Sequence, residues 1–81
     1  MTTADLEARC RDLDDDALRA ELRFWHREVM TRADAVDRWH ATDRRSVVWQ
    51  ELRKRLGDDE ARRVFLAEYE RVKAERRGEA P

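Results

Sequence analysis

The stretch from residue 4 to residue 56 contains no glycine and no proline. These are the two residues that most often interrupt helices, so the stretch favours helix over any other regular structure. Much of it also repeats apolar residues every three or four positions, which is the spacing of one helix face. We therefore expect an all-α protein, in which the open question is how the helices bury their apolar faces.

Capping residues predict where the first two helices begin. Thr3 is suited to cap a short helix over residues 4–11. Asp14 is suited to cap a long helix over residues 15–56, because acidic residues follow it at the positive end of the helix dipole. The long helix is expected to be the central element of the fold.

Gly57 predicts the end of the long helix, because glycine readily adopts the backbone conformation that terminates helices. Asp58 or Asp59 is then expected to cap a last helix over residues 59–77. With a short turn between them, these two helices should lie antiparallel. The chain 1–81 is thus predicted to be a single domain, a helical hairpin or three-helix bundle.

The apolar residues of the long helix do not all share one face. At about 100° per residue, one stripe comprises Leu18, Leu22, Trp25, Val29, Val36, Trp39, His40 and Val47. The roughly opposite side carries Val48, Trp49, Leu52 and Leu56. Either the helix is straight with two apolar stripes, or it bends or breaks within residues 42–46, where Thr42, Asp43 and Ser46 are possible caps. Two surfaces need burying in both cases.

The flanking helices are too short to bury both surfaces. The last helix can pack on the second stripe and the first helix on Leu18 and Leu22, which leaves the middle of the first stripe without an intrachain neighbour. A thin core in a short chain commonly indicates help from a partner. We predict that a protein partner, either an identical chain in a homodimer or a larger protein, contacts Trp25, Val29, Arg32, Val36, Trp39 and His40. Arg32 and His40 would set the register of that contact.

A nucleic-acid partner is the alternative, based on the charge of the second half of the chain. Residues 41–81 carry 11 basic and 9 acidic side chains, against 7 and 10 in residues 1–40. Possible contacts with nucleic acid are Arg44, Arg45, Arg53, Lys54 and Arg55. However, the isoelectric point near 6.1 is far below that of typical nucleic-acid-binding domains. The protein partner is therefore preferred.

The sequence shows no catalytic or cofactor motif. It has no glycine-rich phosphate loop and no histidine–glutamate metal motif. His26 and His40 each follow a tryptophan, but on one helix they would lie about 21 Å apart, too far to share a metal ion. We therefore expect a non-catalytic interaction module, an adaptor or regulator, without metal or cofactor.

Cysteine content and hydropathy suggest the compartment. Cys10 is the single cysteine, so no intrachain disulfide is possible and a reducing compartment fits. No apolar run has the length of a signal peptide or a membrane span. We expect a cytoplasmic protein that does not contact the membrane.

Overall fold

The computed structural model describes residues 2–78 and shows an all-α fold. Four helices pack against one another, and no strand occurs within residues 2–78. They are α1 (Thr3–Asp12), α2 (Asp15–Thr31), α3 (Ala35–Leu56) and α4 (Asp58–Arg76). The predicted all-α class is confirmed, but the prediction of three helices was one too few.

The additional boundary lies at residues 32–34, where the sequence predicted continuous helix. Conversely, α3 runs without interruption through residues 42–46, where a bend or break was one of the two alternatives. The reason is a strong cap at Asp34, whose carboxylate accepts hydrogen bonds from the backbone N–H groups of Val36 (2.8 Å) and Asp37 (3.2 Å). Thr42 and Ser46 instead bond back to carbonyls of their own helix, so they start no new one.

The same turn also satisfies two carbonyl groups just after the end of α2. The guanidinium of Arg38, one turn into α3, donates to the carbonyl oxygens of Arg32 (3.2 Å) and Ala33 (2.8 Å). Helix ends leave such carbonyls without an intrahelical partner, and a basic side chain is one way to bind them. Side chains therefore turn the chain here without the glycine or proline that usually marks a turn.

The other caps are close to those predicted. Asp14 caps α2, accepting a 2.8 Å hydrogen bond from the N–H of Ala17. Helix α1 begins one residue earlier than expected, with Thr2 and Asp5 forming a reciprocal capping box. Gly57 separates α3 from α4 at a φ of 82°, a backbone conformation that side-chain-bearing residues rarely adopt. Gly57 also takes the N-cap position of α4 that Asp58 or Asp59 was expected to fill.

Helix α3 packs against all three other helices, and the core forms around it. The central buried cluster consists of Leu6, Cys10, Leu18, Leu22, Val48, Leu52, Ala61 and Val64. The packing of α4 on α3 agrees with the expectation that the last helix covers Val48 and Leu52. The first helix was expected to pack on Leu18 and Leu22 of α2, but α1 packs chiefly against α3, and its Leu6 and Cys10 share the central cluster with Leu18 and Leu22. Burial, followed by the charges of Glu21 and Glu51, raises the pKa of the Cys10 thiol to about 11, so this cysteine acts as a small apolar core residue.

Polar contacts join α2 to α4, a pairing that the sequence did not predict. Arg23 and the buried Glu68 form an ion pair at 2.7 Å. One turn along, Arg27 binds both carboxylate oxygens of Glu75, at 3.0 and 3.3 Å. Together with His26, described below, these contacts fix the C-terminal half of α2 against α4 and leave the start of α3 outside the bundle.

Candidate functional site

The α2–α3 corner, residues 31–40, is exposed at every position. It includes two large apolar side chains, with Val36 62% exposed and Trp39 64% exposed. Scattered single apolar residues are normal on a protein surface, but these two lie about one turn apart on the same helix. They therefore form one apolar patch at the beginning of α3.

The phase of α3 explains why this patch points away from the bundle. Trp39 and Val48 are nine residues apart, which at about 100° per residue places them on opposite sides of the helix. Val48 is fully buried in the core. An uninterrupted α3 must therefore direct Trp39 outward.

A cleft of about 230 Å³ lies beside the patch, between the end of α2 and the beginning of α3. The residues lining it are Trp25, Glu28, Arg32, Asp37, His40, Ala41 and Arg44. Three of the six predicted partner-binding residues thus meet here, namely Trp25, Arg32 and His40. Trp39 adjoins the cleft because its ring contacts the ring of His40 edge-to-face at a centroid distance of 5.2 Å.

Two predicted contacts on α2 are less exposed than the sequence suggested, and a third, Arg32, is exposed but already paired. Trp25 and Val29 are half-buried. Trp25 packs against the core, and its ring meets the ring of Phe24 at a centroid distance of 4.8 Å. The indole N–H of Trp25 is buried and has no hydrogen-bond partner among residues 2–78. Arg32 is bound to Glu28 through hydrogen bonds of 2.8 and 3.0 Å, which raise the pKa of Arg32. The apolar surface left for a partner is therefore centred on Val36 and Trp39.

The residues considered for nucleic-acid contact do not form a common surface. Arg53, Lys54 and Arg55 are consecutive on α3 and so point about 100° apart. Arg55 donates to the carbonyl of Cys10 in α1 at 2.8 Å and pairs with Asp15, the first residue of α2, at 3.1 Å.

The other three arginines of that group also have intramolecular contacts. Arg53 forms an ion pair with Asp58 at 2.8 Å, and Arg44 donates to the carbonyl of His40 at 3.3 Å. Arg45 points toward α2 and α4. The structure thus does not bring the five basic residues together.

His26 occupies a role that the sequence did not indicate. It was expected to flank Trp25, yet its ring is fully buried between α2, α3 and α4. The ring lies edge-to-face with the rings of Phe65 and Tyr69, at centroid distances of 4.7 and 5.3 Å. Its spacing of four residues from the buried Leu22 was the one available signal, since residues four apart share a helix face.

The hydrogen bonds of His26 define its protonation state. Nε2 lies 3.2 Å from the carbonyl oxygen of Phe65, which can only accept, so Nε2 carries the proton. Nδ1 then accepts from the Arg45 guanidinium at 3.2 Å. Burial, followed by the positive charge of Arg45, lowers the pKa of His26 from 6.5 to about 4. The ring is therefore neutral at physiological pH.

Neither a metal site nor a membrane span is found in the part of the chain that the structure describes. Residues 2–78 contain no group of three or more histidine, cysteine or acidic side chains placed to hold a metal ion. None of their helices is sufficiently long and apolar to cross a lipid bilayer.

Comparisons of the chain with models of protein families, with curated proteins and with solved structures found no match.

Proposed function

We propose that this protein is a non-catalytic interaction module, an adaptor or regulator that binds another protein chain through the α2–α3 corner. The observation that carries the proposal is the exposure of Val36 and Trp39 on the outer side of α3. Tryptophan is enriched among residues that dominate binding energy at protein interfaces. Trp39 is 64% exposed in the isolated chain, which supports the proposal that another protein buries this surface.

The charges around the patch support a second copy of the same chain as the partner. Asp37 and Arg38 come just before Trp39 in the sequence, and Asp43 and Arg44 come after it. An isologous dimer places one surface against itself, so acids and bases must be mixed for the charges to be compatible. A patch of one sign would repel its own copy, whereas this one would not.

The size of the patch indicates a modest affinity. Stable interfaces commonly bury about 800 Å² on each partner, whereas two exposed side chains and their polar surroundings provide a smaller area. We therefore expect a dissociation constant in the micromolar range, roughly 1–100 µM, typical of reversible association.

Trp39→Ala is expected to weaken self-association by about 2 kcal/mol, or roughly 30-fold in dissociation constant, because it removes the largest side chain of the interface. Sedimentation equilibrium over a range of protein concentrations measures the effect. The matched control is Leu66→Ala, which truncates an apolar side chain 53% exposed on α4 and should leave association unchanged.

Two results would contradict the proposal. One is a wild-type chain that remains monomeric at the highest concentration reached. The other is a dimer that Leu66→Ala weakens and Trp39→Ala does not.

A further inference from the structure

A second cavity lies between α3 and α4, distinct from the α2–α3 corner. It measures about 390 Å³ and is lined by Arg45, Ser46, Trp49, Arg62, Phe65 and Leu66. None of these residues lines the cleft at the corner. Trp49 lies ten residues beyond Trp39, about 15 Å along the helix. We call this cavity the α3–α4 groove.

Apolar side chains form one part of the α3–α4 groove. Trp49 and Phe65 are half-buried and meet edge-to-face at a centroid distance of 5.3 Å. Leu66 is 53% exposed beside them. Pockets for small ligands are commonly apolar, with a few polar groups that fix the ligand's orientation.

Arg45 places a positive charge in the α3–α4 groove that no acidic side chain within residues 2–78 neutralises. Its guanidinium is half-buried, donates to Nδ1 of His26 at 3.2 Å and lies 5.3 Å from the centre of the Phe65 ring. Both contacts are neutral groups, and burial lowers the pKa of Arg45. The guanidinium is thus held in position while its charge remains available to an anion.

Arg62 adds a second positive charge at the exposed side of the α3–α4 groove. No carboxylate of residues 2–78 forms an ion pair with Arg62 within 4 Å. The nearby Asp58 is bound by Arg53 at 2.8 Å, and the hydrogen bond and charge of Arg53, with a smaller contribution from the charge of Arg62, lower the pKa of Asp58. The six lining residues include no acid. The groove therefore combines two guanidinium groups with an aromatic and aliphatic surface.

We propose that the α3–α4 groove binds a small organic acid that carries an apolar or aromatic group. Its carboxylate would bind Arg45 and Arg62, and its apolar part would pack on Trp49, Phe65 and Leu66. A stacked nucleobase fits less well, because Arg45 already lies over Phe65 and Arg53 lies over Trp49 at 6.0 Å. The cavity volume falls within the range of known small-molecule sites, about 300–1,000 Å³.

Titration of the ¹⁵N-labelled full chain with 3-phenylpropionate, followed by NMR, tests this inference. The neutral 3-phenylpropionamide, which has the same shape, is the matched probe. The acid should shift the Trp49 indole resonance saturably, with a dissociation constant in the millimolar range or below. The amide should bind about tenfold more weakly, since it cannot form charge-assisted hydrogen bonds with the two arginines.

Variants distinguish the α3–α4 groove from its surroundings and from the α2–α3 corner. Arg62→Gln replaces an exposed side chain and should weaken binding of the acid about fivefold. The affinity for the acid should then be closer to the affinity for the amide. The control Arg63→Gln removes the next arginine of α4, which pairs with Glu60 at 2.7 Å, and should have no effect. Trp39→Ala should also leave binding of the acid unchanged, so this inference and the proposed function can fail separately.

Three results would overturn the inference. They are equal binding of the acid and the amide, shifts that leave the Trp49 indole unchanged, and an equal loss of affinity in Arg62→Gln and Arg63→Gln.

Discussion

Acidification from pH 7 to pH 4 is expected to remove about 3 kcal/mol from the free energy of unfolding, because the folded state disfavours protonation of His26. Burial and the charge of Arg45 lower its pKa to about 4, whereas the unfolded chain has the ordinary value of 6.5. The unfolded state therefore takes up a proton first as the pH falls. The stabilisation is complete above about pH 6.5 and is lost as the pH falls toward 4.

Urea denaturation followed by circular dichroism at several pH values measures this loss. Comparison with His26→Gln, which cannot ionise, isolates the contribution of this ring. The variant will be less stable at pH 7 but should show a flatter pH profile between 6.5 and 4. His40→Gln, which replaces the exposed histidine, is the control and should keep the wild-type profile. If His26→Gln and the wild type lost equal free energy over this range, the acid sensitivity would have another origin.

Leu22→Ala is expected to lower the free energy of unfolding by about 3 kcal/mol, within the range of 2–5 kcal/mol for large-to-small changes in protein cores. Leu22 is fully buried in the cluster that α1, α2, α3 and α4 share. A domain of this size has a total stability of roughly 4–12 kcal/mol, so the variant should lose a large fraction of it. Chemical denaturation of the wild type and the variant measures the difference.

Leu66→Ala provides the comparison for Leu22→Ala, since it makes the same change at a position that is half-exposed on α4. Exposed substitutions commonly alter stability by no more than about 0.5 kcal/mol. Equal losses in the two variants would contradict the assignment of the core.

Local signals in the sequence predicted most of the fold. The absence of glycine and proline predicted the helical class, while Asp14 and Gly57 marked two of the helix boundaries correctly. The short turn at Gly57 also predicted that α3 and α4 pack together. These features depend on residues near one another in the chain, which a sequence displays directly.

The boundary between α2 and α3 was missed because several residues compete as caps. Asp34, Thr42, Asp43 and Ser46 are all acceptable N-caps, and propensity alone does not choose among them. Arg38 supports the turn beside Asp34, because its guanidinium binds the carbonyls of Arg32 and Ala33 just after α2, a contact that propensity does not report. Arg32 and Ala33, which lie in the turn, gave no sign of a break because both residue types favour helix.

The contacts between α2 and α4 were missed for a different reason. Arg23 and Glu68 are 45 residues apart, and His26 and Phe65 are 39 apart. No periodic pattern reports such a pairing, since it depends on how the helices are placed in space. The apolar pattern did single out Val36 and Trp39, because the phase of a helix can be read from its own sequence.

The α2–α3 corner is the surface at which we propose that a partner binds. The bundle buries the C-terminal half of α3 and leaves its first two turns exposed, so the same helix serves the core and, in our proposal, a partner. The Trp39→Ala comparison tests the energy of that contact. Locating the contact requires a measurement that identifies the atoms that meet.

An isotope-filtered NOE experiment provides that measurement. Labelled and unlabelled wild-type chains are mixed at a concentration where the dimer predominates, and only contacts between different chains are recorded. The proposed interface predicts intermolecular NOEs from the Trp39 indole and the Val36 methyl groups. A dimer whose intermolecular NOEs arise only from other helices, with none from Trp39 or Val36, would contradict it.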